Sequence, residues 1–172
     1  MAFEVDEEGY THLPNGMWLK LVEEPQPPID WVKIKKEYEQ RIIDANEEKK
    51  YRASGIYCIK IDNKIAYIGK SKNMITRVAS HMINIENPKS SDYNAKKYQL
   101  IRAAKQEGHQ IGFDVLFYCN ESILTAVEGE YIRKYMPALN TQIPKVEGGW
   151  EVRKINNLTL PQLLSLLEQQ EK

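Results

Sequence analysis

The chain has 172 residues, 42% apolar and 28% charged, a balance that suits one domain with elaborated ends and excludes a mostly disordered chain. Its 24 Lys and Arg against 24 Asp and Glu give zero net charge, which on that figure alone argues against a nucleic-acid partner. No apolar run approaches the ~18 residues of a membrane span, and the acidic start MAFEVDEEGY is no secretory signal. Cys58 and Cys119 lie in apolar strand-like runs and read as buried free thiols, so a cytoplasmic protein with no membrane partner is expected. The zero also hides a division: residues 1–50 carry net −5, residues 51–120 net +6 and residues 121–172 net −1.

Residues 1–30, with Pro14, Pro25, Pro27 and Pro28, read as an irregular arm holding a short strand over Met17–Val22. A helix follows from about Trp31 to Lys50, capped by Asp30, with Trp31, Ile34, Tyr38 and Ile42 on one face. Gly55–Ile61 and Ile65–Lys70 form a β-hairpin. A helix starts near Asn73 with Met74, Ile75, Val78, Met82 and Ile85 on its apolar face. After the loop 86–92 comes a basic helix, Tyr93–Glu107, stopped by Gly108. Ile111–Cys119 is a third strand, and Glu121–Tyr135 is a helix stopped by Pro137. Thr159-Leu-Pro-Gln162 opens a last helix with a capping box. The order β-β-α-α-β-α from residue 53 predicts a small α/β (α+β) fold, a three-stranded antiparallel sheet flanked by helices.

Strand parity makes the hairpin tyrosines testable. Tyr57 and Tyr67 share a face only if the loop has an odd residue count, so a three-residue loop, Asp62-Asn63-Lys64, is predicted, with Ile59 opposite Tyr67. On the helix 121–135, Leu124, Val127, Tyr131, Ile132 and Tyr135 make the apolar side. Glu128 falls among them, and a carboxylate there needs either a core arginine or a cation. Glu130 faces solvent, four residues before Lys134, as a surface pair. Arg77 and His81 stand one helical turn apart, on a face beside the apolar stripe. A solvated polar face is one reading of that pair; a guanidinium clamp on a phosphodiester beside a proton-handling imidazole is the other. Lys70 and Lys72 lie at the hairpin mouth.

Gly55-Ile56-Tyr57, a short spacer, then Tyr67-Ile68-Gly69 with Lys70 resembles the signature of the GIY-YIG nuclease family. Arg77 and His81 on the following helix, and Glu128 twelve residues before Asn140 in EGEYIRKYMPALN, stand where that family carries its functional residues. The resemblance covers residues 53–142 and divides the chain into an N-terminal arm and helix (1–52), a nuclease core (53–142) and a C-terminal extension with a short helix (143–172). It implies a metal-dependent DNA endonuclease of the compact, stand-alone kind found among small restriction and phage enzymes. Glu128 would hold one Mg²⁺ or Mn²⁺ per site and Arg77 would clamp the phosphate. Tyr57 would activate water with help from Lys70, the metal or His81, Tyr67 would position phosphate or water, and Asn140 is implied as a further site residue or a turn residue holding the helix end. Lys72, Lys89, Lys96, Lys97, Arg102 and Lys105 are candidates for DNA phosphate contacts. A double-strand break would need a homodimer or a larger homo-oligomer. A DNA-binding protein without catalysis, or a nuclease acting on RNA, would use the same fold.

Overall fold

The computed structural model describes residues 6–8, 10–20 and 27–171, which divide into two units, residues 1–31 and 32–172. In the first, β1 (Tyr10–His12) pairs antiparallel with β2 (Trp18–Lys20) around a turn carrying Gly16 at φ +80°. The strand expected over 17–22 is thus there in part; Leu21, Val22 and Pro25 lie outside the described residues.

The second unit holds all but the first residue of α1 (Trp31–Asp44), then α2 (Glu48–Tyr51), one expected helix broken at Asn46, whose φ is +60°. Three strands follow in the order β4-β3-β5, all antiparallel: β3 (Gly55–Ile61) is central, and β4 (Lys64–Ser71) and β5 (Ile111–Tyr118) are its neighbours. Between β4 and β5 lie α3 (Met74–Glu86) and α4 (Lys96–Gln106). A single 3-10 turn, Glu121–Ile123, leads into α5 (Leu124–Tyr135). The basic helix starts three residues later than expected, because Ser90–Ala95 forms successive turns. The Arg102 guanidinium donates to the carbonyls of Asn84, Ile85 and Tyr93, satisfying the end of α3 and holding the turn segment down.

The hairpin corrects the expected loop. Lys64 pairs with Ile61, so the turn is the two residues Asp62 and Asn63, at φ +49° and +65°, both tolerant of the left-handed region. The missing residue of parity is supplied within β4. The register shifts between Ile59 and Lys60, leaving Ala66 as a bulge, and Ile59 still pairs with Tyr67. Tyr57 and Tyr67 therefore do share a face.

That face packs Tyr57 against Met74, Ile75 and Val78 of α3, with Ile42 of α1 and Tyr51 of α2. Along it, Ile59, Ile61 and Ala66 meet Ile101 and Ala104 of α4 and Leu163 and Leu167 of α6 (Leu160–Glu168), whose expected capping box at Thr159 and Gln162 is formed. The opposite face, with Ile56, Cys58, Ile65 and Ile68, is covered by Leu124 and Ile132 of α5. Both terminal helices thus pack on their own sheet. Cys58 and Cys119 are free thiols, the first buried and the second half-buried. Lys134 lies over the ring of Tyr135, and among the described residues no ion pair joins it to Glu130, in place of the expected surface pair. A second hairpin, β6 (Gln142–Pro144) and β7 (Trp150–Val152), follows α5 and was not foreseen. Among the described residues, no helix is long and apolar enough to cross a membrane.

Candidate active site

The two tripeptides owe their glycines to close packing. A Cβ on Gly69 would collide with the Tyr57 phenol, and a Cβ on Gly55 would collide with the carbonyl of Phe117. Only bare backbone at 69 lets the Tyr57 ring lie across β4 and carry its hydroxyl toward α3. Tyr57 is 1% exposed, and burial pushes its phenol well above the ordinary value, with Tyr67 adding to that and Arg77 opposing it. Tyr67 is half-buried and raised by burial in the same way, again opposed by Arg77.

His81 is the largest departure from the expected geometry. A solvated face was one reading of the Arg77/His81 pair, yet His81 is fully buried, ringed by Tyr57, Tyr67, Tyr98 and Phe113. Its Nε2 is 2.7 Å from Tyr57 Oη and its Nδ1 is 2.7 Å from Tyr98 Oη. Burial, with the cations Lys97 and Arg77 nearby, lowers its pKa well below the ordinary value, so the ring is neutral. Arg77 remains on the exposed side of α3, and its Nε donates to Tyr57 Oη at 3.2 Å. Lys97 projects from α4 into the same pocket, Nζ 4.1 Å from the centre of the Tyr67 ring and 4.7 Å from that of Tyr98. Burial and Arg77 bring its ammonium down to about 8.

Glu128 stands at the β4 edge of the sheet, half-buried, and forms no hydrogen bond or ion pair with another described residue. It borders a cavity of about 170 Å³ together with Tyr67, Asn140, Thr141, Gln142 and Trp150. Burial raises its carboxyl pKa, and Lys70 opposes the rise while its own Nζ donates to Thr125 at 2.7 Å. The alternative of a core arginine partner finds no support among the described residues. Asn140 is buried and spends its side-chain amide on one strand: Oδ1 accepts from the Ile68 N–H and Nδ2 donates to the Ile68 carbonyl, both at 2.9 Å. It holds the strand residue next to Tyr67.

The remaining basic candidates scatter. Lys72 approaches Glu121 at 3.9 Å and Lys105 approaches Glu86 at 3.8 Å, both exposed; Lys89 is exposed and Lys96 half-buried. Arg102 is committed to backbone carbonyls and stacks 3.4 Å from the Tyr93 ring centre. Sequence reasoning missed two members of the site. Tyr98 is one, although its place on the apolar side of α4 is a signal of its burial. Trp150, 64% exposed at the cavity rim, belongs to the unforeseen hairpin, whose Gly148-Gly149 pair at φ +101° and +78° marked its turn.

No family model matches the chain. The UvrABC system protein C of Fusobacterium nucleatum is 27% identical over 90 residues, which span 51% of this chain and 13% of that protein. Among solved structures, the GIY-YIG N-terminal endonuclease domain of UvrC from Thermotoga maritima, a point mutant bound to the catalytic divalent cation, aligns at 23% identity. It covers 57% of this chain and 93% of that one, with a TM-score of 0.37. A bacteriophage T4 EndoII mutant aligns at 20% identity over 80% of this chain and 86% of its own, with a TM-score of 0.41. In its motif residues, their order and the antiparallel sheet that gathers them, this chain is similar to the GIY-YIG nucleases.

Proposed function

We propose that the chain is a divalent-metal-dependent endonuclease that hydrolyses DNA phosphodiester bonds, with its catalytic core in residues 53–142. The observation that carries this reading is the half-buried Glu128 carboxylate, unpaired among the described residues and facing a small polar cavity shared with Tyr67, while Arg77 touches the Tyr57 hydroxyl nearby. A carboxylate left half-buried without a partner fits a hard-cation ligand. Among the described residues no three His, Cys, Asp or Glu side chains gather, so Glu128 would bring one carboxylate and water the remaining ligands of a Mg²⁺ or Mn²⁺ ion. Such an ion supplies charge neutralisation at the phosphate and the leaving oxygen.

The chain's own residues do the rest. Arg77 donates from a planar guanidinium and orients a non-bridging phosphate oxygen. Tyr57 accepts the proton of the attacking water, although a phenol with a pKa of about 10 in water, raised further by burial, needs donors on its oxygen to do so. Lys70 holds positive charge beside Glu128, and Asn140 fixes the backbone next to Tyr67. Lys72, Lys89 and Lys105 are offered as exposed phosphate contacts on the basic middle third, the half-buried Lys96 as a further one, Lys97 as one inside the pocket, and Trp150 as an aromatic surface at the rim. Cleavage of both strands would bring two copies together. The reading also places the protein in the cytoplasm.

Glu128→Gln keeps the shape and removes the charge. It should lose cleavage by a factor of ~10³ or more while keeping its melting temperature and its DNA affinity measured without metal. Cleavage retained in that variant would remove the metal-ligand assignment, and cleavage confined to RNA would replace DNA as substrate.

A further inference from the structure

The row of polar side chains behind Tyr57, buried at His81 and Tyr98 and half-buried at Asn84 and Ser90, has a direction, and that direction is set at its far end. The Ser90 hydroxyl donates to Asn84 Oδ1 in a short contact, which leaves the Asn84 Nδ2–H to donate to Tyr98 Oη at 3.2 Å. Among the described residues, the other hydrogen-bonding neighbour of Tyr98 Oη is His81 Nδ1. A phenol has a single proton to give. Having accepted from Asn84, Tyr98 gives its proton to Nδ1. A neutral imidazole with Nδ1 accepting carries its own proton on Nε2, and that N–H donates to Tyr57 Oη. The Arg77 Nε–H donates to the same oxygen.

We propose that Tyr98, held by Asn84, is a positioning residue that fixes His81 as its Nε2–H tautomer, so that the Tyr57 oxygen receives two N–H donors and is stabilised as a phenolate. The opposite direction would have His81 take the Tyr57 proton and become an imidazolium. It would then be a charged ring with no exposure and with the cations Lys97 and Arg77 nearby, which is the costlier arrangement. In the direction assigned here the Tyr57 proton is released to solvent water at the cleft. The phenolate then takes a proton from the attacking water as the water oxygen bonds to phosphorus. The phosphorus–oxygen ester bond breaks, and the leaving oxygen keeps the electron pair and takes a proton from solvent. The catalytic consequence rests on the endonuclease reading; the tautomer does not.

The chain has three histidines, and His12 and His109 make side-chain contacts at the surface with Asp6 and Asp62. A His12→Gln/His109→Gln protein therefore shows His81 alone in two-bond ¹H–¹⁵N spectra. The expected spectrum has Nε2 protonated and Nδ1 bare. Tyr98→Phe removes the donor to Nδ1 and should give a mixture of tautomers. Asn84→Asp puts an acceptor where Tyr98 found a donor, turns the Tyr98 proton away, and should invert His81 to the Nδ1–H form. In cleavage assays both variants should lose kcat on the order of 10–100-fold with KM unchanged. Nδ1–H in the otherwise unaltered protein would overturn the proposal, as would a tautomer insensitive to both variants. The spectra are read without substrate, so a failed nuclease reading and a failed tautomer assignment give different results.

Discussion

At the scale of single residues, the site works by setting charges against burial. Lys97 shows this most simply. Burial and Arg77 lower its pKa to about 8, so the cation over the Tyr67 ring is present below that pH and lost above it. DNA affinity, measured by anisotropy with the cleavage-deficient Glu128→Gln variant, should fall between about pH 7 and 9. Lys97→Arg should abolish the fall, because a guanidinium keeps its charge there. The same shift has a sign for folding. Unfolded lysine holds its proton to about pH 10.4, so between about 8 and 10.4 the unfolded state binds more protons and this group's contribution raises stability as pH rises. The i, i+4 spacing of Arg77 and His81 was legible in the sequence. The burial of His81 was not, because its partners Tyr98, Lys97 and Phe113 come from α4 and β5, and no local pattern on α3 announces them.

Among the elements, β4 is one of the sheet's two edge strands, and among the described residues its far side pairs with no other strand. Two side-chain amides cover it. Asn140 takes both backbone groups of Ile68, and Gln170 takes both of Ile65, at 2.8 Å and 2.7 Å; between them the Leu139 N–H bonds to the carbonyl of the bulged Ala66. The edge is thereby closed beside Tyr67 and Glu128, as in a sheet with one more strand. Asn140→Ala should cost ~2–3 kcal/mol in urea unfolding, because it orphans a buried N–H and a buried carbonyl. Gln170→Ala, at a less buried site, should cost ~1 kcal/mol. A catalytic loss in Asn140→Ala that exceeds its loss of folded protein would show a role beyond holding the strand. The shared face of the tyrosines could be read from strand parity, and that reading stands. The device behind it could not, because a two-residue turn plus a one-residue bulge and a plain three-residue turn give the same alternation. The β6–β7 hairpin escaped for a different reason: strands of three residues are too short to show a period.

Over the whole molecule, zero net charge conceals a basic middle third, residues 51–120, that holds the hairpin, α3 and α4. Some of that charge is spent internally, as with Arg102 on carbonyls and Lys60 on Asp114, so the surface offered to a polyanion is smaller than the sum implies. DNA binding should therefore weaken as salt rises, with a log–log slope set by a few phosphate contacts, about −3 to −5, in place of the steeper slope of a uniformly basic domain. A slope near zero would remove the phosphate contacts from the account. The most direct test of the central claim is cleavage of supercoiled plasmid by the purified protein with Mg²⁺ or with EDTA, run beside Glu128→Gln. The expected result is nicked or linear DNA only with the metal and only with Glu128 present. Cleavage that survives either EDTA or the loss of Glu128, or intact plasmid in every lane, would contradict the account.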